Sequence, residues 1–198
     1  YKRRIKMKKN DFVKYYWKHY KFLEKQFLDI ERYVAIEKDN YAVYSNEFLN
    51  LFVLICNEYD AITAEYCNSM KESAKPLNMV EKNKLLSENI KDFKDLSIST
   101  KYKYDNIKIL PFSKFATEKT YEWWQAYNLV KHKRSNIDSE TKKPNYYKAN
   151  LKNVLTALSA LYIILNKFCS ENCTSDITNA NLFLSSDVFN DFQQQVDL

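Results

Sequence analysis

The stretch WWQAYNLVKHKR, residues 123–134, holds the side chains of this sequence whose types and spacing could do chemistry. Asn128 and His132 lie four positions apart, so on a helix they are neighbours on one face. Imidazole is the side chain best suited to exchange protons near neutral pH, and an amide one turn away could orient it or a substrate. Lys131 and Arg134 could hold a phosphodiester and stabilise the charge that develops on it. This set suits cleavage of RNA without a metal, with the 2′-hydroxyl of the RNA as nucleophile.

The same stretch also fits a purely structural helix. Aromatic side chains at helical spacing, such as Trp124 and Tyr127, usually pack in a core. Cations in a last helical turn are favourable against the helix dipole, which accounts for Lys133 and Arg134. Asn128 is different, because Asn is a poor helix former in mid-helix. It needs either a buried hydrogen bond or a role in a site.

The segment YNLVKH resembles the signature helix of the HEPN superfamily. In that family an arginine is followed by a polar residue and then, a few residues further on, by a histidine. Asn128 stands at the position of the polar residue and His132 at that of the histidine, while Tyr127 occupies the place of the arginine. HEPN proteins are small helical bundles that often act as metal-independent ribonucleases in toxin–antitoxin, phage-defence and RNA-processing systems.

A second resemblance covers most of the chain. The sequence is similar to a group of uncharacterised bacterial proteins that share YW near the start, WWxAYNxVKHxR, and a later ANLKNVLxALxALY. Here these motifs are Tyr16–Trp17, residues 123–134 and residues 149–162. This likeness is the more specific of the two, and it implies no established activity.

The HEPN resemblance implies a set of roles and partners. It implies a homodimer in which two motif helices form a composite cleft, with Asn128 and His132 of both subunits as the catalytic residues. RNA is the implied substrate, and an antitoxin-like protein is a further implied partner. The residues expected to contact nucleic acid are Trp124, Tyr127, Lys131, Lys133 and Arg134.

Two other functions stay open on the sequence alone. One is a non-enzymatic helical module, whose aromatic and basic side chains dock a protein or nucleotide partner. The other is a structural helical protein, in which residues 131–134 are simply a basic helix end.

Composition excludes several classes of site. The chain contains no glycine, and P-loops and GxGxxG turns need glycine for the backbone to approach phosphate. Two histidines, His19 and His132, do not make a three-histidine metal site. Cys169 and Cys173 have neither CxxC nor zinc-knuckle spacing, so we expect the four cysteines to be free thiols in a reducing cytosol,. The sequence predicts no metal and no cofactor.

The positive charge is unevenly distributed. The chain has a net charge of +6, yet residues 1–33 alone carry eleven Lys or Arg against four Asp or Glu. A second basic cluster spans residues 131–148. Such patches can attract nucleic acid through counterion release, although a solvated lysine-rich face gives the same pattern.

Apolar periodicity predicts mainly helices. Apolar residues recur at helical spacing from Tyr16 to Val34, from Tyr44 to Met70 with Ser45 as cap, and from Tyr147 to Phe168,. A shorter helix is expected within residues 80–95. The motif helix is expected to start at Thr117 or Thr120 and to end near Ser135, and a short closing helix is expected after Ser185 or Ser186.

The expected fold is one antiparallel α-helical bundle of about five helices, spanning residues 1–198 as a single domain. A small extended or β insertion is expected near residues 98–115, with a second short strand at 181–184. No continuous apolar run reaches the ~18–20 residues of a membrane span. The basic first residues lead into an aromatic, charged segment rather than an apolar signal core. We therefore expect a soluble cytoplasmic protein with no membrane partner.

Overall fold

The computed structural model describes residues 6–71, 73, 75–113, 120–174 and 184–192, which form mainly helices. The helices are α1 (Lys9–Phe12), α2 (Lys18–Ile30), α3 (Asn46–Met70), α4 (Met79–Asn89), α5 (Glu122–His132) and α6 (Leu151–Asn172). The strands are β1 (Met7–Lys8), β2 (Ile98–Ser99), β3 (Lys108–Ile109) and β4 (Cys173–Thr174). Strand β1 pairs with β4 in parallel, and β2 pairs with β3 antiparallel. Helices α2 to α6 are the main ones in these residues, so the predicted mainly α fold of about five helices is confirmed.

A π-helical turn, Val13–Trp17, joins α1 and α2 into one continuous helix. In a π turn the hydrogen bonds run from one residue to the fifth residue on, so side chains five apart lie on the same face. Phe12 and Trp17 are five apart, and both are buried. They pack against α6, Phe12 on Phe168 and Trp17 on Tyr162, so α2 and α6 run antiparallel.

The connection from α2 to α3 is short. Helix α2 ends at Ile30 rather than near Val34, because the following residues form turns in which Tyr33 is exposed and offers no apolar face to bury. Helix α3 begins as predicted: Ser45 is its N-cap, and the Phe48 N–H donates to the Ser45 Oγ at 3.0 Å,.

Helices α3 and α6 form the centre of the bundle. Tyr44, just before α3, forms a β-bridge with Asn150, just before α6. At the other end, the Tyr66 hydroxyl donates to the Glu171 carboxylate. The two helices therefore run in the same direction, and the antiparallel helices pack around this parallel pair.

Helix α6 is long and apolar enough to cross a membrane, with 22 residues and a mean hydropathy of 1.3 over its most apolar window. However, 72% of that window is buried inside the protein. This is the behaviour of the core helix of a soluble protein, whose apolar surface is covered by neighbouring helices.

The predicted extended insertion is confirmed for its described part, residues 98–113. Strands β2 and β3 form a small hairpin in which Ile98 is paired with Ile109. The turn places Asp105 and Asn106 at positive φ of 58° and 47°. Asp and Asn tolerate the left-handed region better than other residues with a Cβ, and this chain has no glycine to use there,. The second expected strand falls largely on residues 181–183, which lie outside the described residues.

The prediction of a short closing helix after Ser185 or Ser186 is wrong for the described residues of that segment. Residues 184–192 form bends and an isolated bridge instead of a helix. Ser186 still satisfies backbone groups as a cap would, because its Oγ accepts from the N–H groups of Val188 and Phe189. Tertiary pairing explains the difference: Phe189 forms a β-bridge with Thr100, and the Val188 carbonyl accepts from the Lys101 N–H at 2.8 Å.

A buried carboxylate holds this C-terminal segment against α2. The Glu24 side chain is 1% exposed. Its Oε1 accepts from the Tyr20 hydroxyl at 2.9 Å and from the Asp187 N–H at 3.0 Å. The Ser186 hydroxyl also donates to Oε1, and the Lys21 ammonium donates to Oε2 of the same carboxylate. Burial, followed by the nearby Glu24 charge, raises the pKa of Tyr20 well above its ordinary value, so its hydroxyl stays a donor.

Replacing Glu24 should loosen this attachment. We expect Glu24→Ala to lower the free energy of unfolding by about 3 kcal/mol, because buried hydroxyl and N–H donors lose their acceptor. Urea unfolding measures the change. Glu88→Ala, at an exposed position of α4, is the control and should stay within about 0.5 kcal/mol of wild type. Similar small changes for both variants would contradict the clamping role of Glu24.

Candidate functional site

Helix α5 contains most of the chemically suggestive stretch, and its ends differ from those predicted. The N-cap is Tyr121 and no side chain caps it, so Thr120 does not have the capping role expected of it. Thr120 accepts instead from the Gln125 side chain. Thr117 lies outside the described residues. The helix ends at His132, before Ser135, because Lys133 leaves helical dihedrals at φ −139° and ψ 38°.

Three aromatic residues anchor α5 in the core. The Trp123 indole N–H donates to the Pro111 carbonyl at 2.9 Å. Both tryptophan rings contact Tyr59 of α3, with centroids 5.0 Å away for Trp123 and 6.0 Å for Trp124. Tyr127, further along α5, contacts Phe52, nearer the start of α3. Helix α5 is therefore antiparallel to α3 and fixed to it along one side.

Tyr127 is held by its hydroxyl as well as by its ring. The side chain is 3% exposed, and its hydroxyl donates to the Asn57 Oδ1 at 2.8 Å. Burial raises the pKa of Tyr127, which keeps this donor protonated. The Lys131 ammonium lies 5.4 Å above the centre of the ring,. At the position where the HEPN motif that this segment resembles has an arginine, this chain thus has a core residue.

Trp124 and Tyr127, which the resemblance led us to expect in contact with nucleic acid, are buried in this structure. Trp124 is 7% exposed and its ring centroid lies 4.9 Å from that of Tyr127. Because both rings are covered by protein atoms, neither offers a face on which a base could stack. Their part in any binding surface is to hold α5 in place.

Asn128 and His132 lie at the outer side of α5. His132 is exposed at the end of the helix, and Asn128, one turn earlier, is half-buried. Neither side chain makes a hydrogen bond to any described residue. The buried hydrogen bond that could have explained Asn128 is therefore not found among the described residues.

The cations at the end of α5 are exposed and carry no carboxylate partner among the residues described. They are Lys131, Lys133 and Arg134. The Arg134 Nε donates to the Val130 carbonyl at 3.3 Å, which caps the helix end and leaves the outer guanidinium nitrogens for other partners. This surface therefore keeps its positive charge available to an anion.

A loop folds back over this helix end and completes a recess. The Asn145 Nδ2 donates to the Lys133 carbonyl at 2.9 Å, and the Tyr146 N–H donates to the Arg134 carbonyl at 3.0 Å. Between the loop and α5 lies an open cavity of about 700 Å³, which we call the α5 recess. Its walls include Lys131, His132, Arg134, Pro144, Tyr146 and Tyr147.

The loop itself is fixed by Asp138. Its carboxylate accepts from the Thr141 N–H at 2.8 Å and from the Lys148 ammonium at 2.9 Å. These bonds, that from the Thr141 backbone foremost, hold the pKa of Asp138 well below its usual range. The carboxylate stays charged at neutral pH and holds Thr141 and Lys148 together, which fixes the shape of the loop.

Sequence reasoning missed the aromatic wall of the recess. Tyr147 was predicted to begin the long C-terminal helix, but it lies in a 3₁₀ turn, Asn145–Lys148, before it. The helix starts later because Asn150 is its N-cap and accepts from the Asn153 N–H at 3.1 Å. The local signal was Asn150 itself, since Asn is a favoured N-cap residue.

Outside α5, the other histidine also has a close polar partner. The Nδ1 of His19 lies 2.9 Å from the Glu58 Oε2. The four cysteines are free and buried. Within the described ranges, no three His, Cys, Asp or Glu side chains form a group that could hold a metal ion.

Comparison with known proteins adds no relative. No family model, curated protein or solved structure matches the chain. The basis for a function is therefore the sequence motif together with the exposed end of α5 and the recess beside it.

The anchoring of α5 through Tyr127 can be tested by stability. We expect Tyr127→Phe to lower the free energy of unfolding by about 1 kcal/mol, because the hydrogen bond to Asn57 is lost. Tyr127→Ala should cost about 4 kcal/mol, because it leaves a cavity as well. Thermal and urea unfolding measure both. Tyr102→Phe, at a tyrosine that is 91% exposed, is the control and should leave the free energy of unfolding unchanged. If Tyr127→Ala also left it unchanged, the Tyr127 ring would not be part of the core.

Proposed function

We propose that the protein binds RNA in the α5 recess and cleaves it without a metal, as the HEPN proteins that its motif resembles often do. The observation that carries this proposal is the exposed cationic end of α5, Lys131 to Arg134, which has no carboxylate partner among the described residues and lines an open recess. Unpaired Lys and Arg side chains bind the phosphodiester backbone and release its counterions. The resemblance adds an expected setting in phage defence or in a toxin–antitoxin system.

His132 is the acid–base group in this proposal. The 2′-hydroxyl of the RNA attacks the adjacent phosphorus, an imidazole takes up the hydroxyl proton, and a protonated imidazole gives a proton to the departing 5′-oxygen. The exposed ring of His132 is open to solvent and therefore to substrate. Lys131 and Arg134 lie on the same recess and suit the extra negative charge on phosphorus in the transition state.

Asn128 and a second subunit complete the arrangement. Asn128 precedes His132 by one turn and has no hydrogen bond to the described residues, so its amide is free to orient the imidazole or the RNA. The two proton transfers of the reaction can be shared by two imidazoles. A homodimer that brings two α5 ends together, as the resemblance implies, supplies the second one.

The binding step predicts a specific salt dependence. We expect a Lys131→Ala/Arg134→Ala variant to bind a single-stranded RNA of about 12 nucleotides more weakly, with a less steep fall of affinity with salt. The slope of log affinity against log salt should decrease by about 1 for each phosphate contact that is lost. Fluorescence anisotropy at several salt concentrations, with an RNA whose 2′-hydroxyls are methylated so that it is not cleaved, measures both quantities.

A matched lysine elsewhere is the control for this experiment. Lys84 is 77% exposed on α4 and does not line the recess. Lys84→Ala should keep the affinity and the slope of wild type. If the double variant and Lys84→Ala bind alike, the end of α5 is not the RNA-binding surface.

The catalytic step predicts that His132→Ala abolishes RNA cleavage and leaves the fold and RNA binding intact. The exposed position of His132 makes a folding defect unexpected, and circular dichroism checks it. Asn128→Ala should lower the cleavage rate about 10- to 100-fold, because orientation is lost while the imidazole remains. Cleavage by wild type should persist in a chelator of divalent cations.

Two results would contradict the cleavage step. Activity of purified His132→Ala equal to that of wild type would remove His132 from the mechanism. RNA binding by wild type without any cleavage would instead support the non-enzymatic binding module, with His132 as a binding residue.

A further inference from the structure

A second recess lies directly beside the α5 recess. It has a volume of about 430 Å³, and it shares Pro144 and Tyr147 with the α5 recess as a common wall. Lys143 and Lys152 line it, are exposed, and have no carboxylate partner within the described ranges. Lys148 also lines it, but its ammonium is bonded to Asp138. Positive charge that is free to bind an anion therefore stands on both sides of Tyr147.

Tyr147, on the common wall, belongs to a cluster of three tyrosines. The ring centroids of Tyr44 and Tyr147 are 4.0 Å apart, and Tyr146 lies edge-on to both rings. The Tyr146 hydroxyl donates to the Asn46 Oδ1 at 2.8 Å, which fixes its ring. Unlike Trp124 and Tyr127, these rings are only partly buried. They are fixed aromatic surfaces that face solvent.

We propose that the two recesses form one track for single-stranded RNA, in which a base stacks on the tyrosine wall and the phosphates on its two sides are held by the cations of the two recesses. This inference rests on the proposed function and names its substrate class and two further groups of binding residues. One group is the tyrosine pair Tyr146 and Tyr147, and the other is the pair Lys143 and Lys152.

The alternation of charge and aromatic surface is what selects a single strand. In a duplex the bases are stacked on each other and paired, so no base face is available to a protein ring. A single strand can place an unstacked base on an aromatic side chain and its flanking phosphates on cations, which is the general mode of single-strand binding. The Lys143 ammonium lies 5.4 Å above the Tyr147 ring in the free protein. A base that stacks on the Tyr147 ring takes the place of the Lys143 ammonium, and the ammonium then pairs with a phosphate of the RNA.

One binding assay measures how the affinity for RNA depends on the length of the RNA, on whether it is single- or double-stranded, and on the Tyr147 ring. Wild type is titrated with oligouridine of about 4 and about 12 nucleotides and with an RNA duplex of the longer length, by fluorescence anisotropy. All the RNAs carry 2′-O-methyl groups, which block the proposed cleavage. We expect the longer single strand to bind at least tenfold more tightly than the shorter one and than the duplex. Tyr147→Leu should weaken binding of the longer strand about tenfold, while Tyr147→Phe, which keeps the ring, should stay within twofold of wild type.

The lysines of the second recess give an independent test. A Lys143→Ala/Lys152→Ala variant should weaken binding of the longer strand and leave that of the shorter strand close to wild type, because the shorter strand is held in the α5 recess alone. Circular dichroism and thermal unfolding confirm that each variant is folded. Lys84→Ala is again the matched control.

The outcomes separate this inference from the function on which it rests. If wild type binds none of the RNAs, the proposed function fails and the track fails with it. If the Lys131→Ala/Arg134→Ala variant loses binding but Tyr147→Leu and the Lys143→Ala/Lys152→Ala variant do not, the α5 recess binds RNA and the track is refuted. Equal binding of duplex and single strand would also refute it.

Discussion

The burial of α6 is the constraint on which the rest of the structure depends. Every position from 157 to 165 is buried, so the middle of this helix has no side that faces water. A helix that is apolar all round must be enclosed by other parts of the protein. The aromatic residues Phe12 and Trp17 cover one side, and α3 covers another. The C-terminal segment also contributes, since Phe189 stacks on Tyr162 and the Tyr162 hydroxyl donates to the Leu184 carbonyl.

The same constraint fixes the geometry of the candidate site. Helix α5 is attached through its tryptophans and Tyr127 along its length, so only its last turn extends beyond the aromatic core. The start of α6 is fixed by Asn150 and by the bridge from Tyr44. The loop between these two helices is therefore held at both ends. Its bonds through Asp138 and Asn145 then bring the tyrosines beside the cations.

Much of the fold could be predicted from the sequence because its signals are local. Helical periodicity identified the main helices, and Ser45 identified the start of α3. Loss of periodicity identified the β2–β3 insertion. The helix ends were harder, since they depend on tertiary contacts: α5 stops where Asn145 binds the Lys133 carbonyl, twelve residues away in sequence.

The candidate site was predictable only in part for the same reason. The exposure of His132 and of the cations agrees with a helix end, which a sequence can indicate. That Trp124 and Tyr127 are buried depends on α3, through Tyr59, Phe52 and Asn57. The pairing of Tyr44 with Tyr147 joins residues that are far apart in the chain, and no spacing rule connects them.

The π turn at Val13–Trp17 sets a rule for how the length of this segment can vary. It accommodates one more residue than an α-helical path between the same two aromatic contacts, so Phe12 and Trp17 both reach α6. Deleting a single residue between Phe12 and Trp17 would restore regular helix and leave the two aromatic residues four apart, still on one face. In homologous chains, a one-residue gap here should therefore be accompanied by the same two aromatic residues at a spacing of four. An alignment that conserves both aromatics and their spacing should conserve the bulge as well.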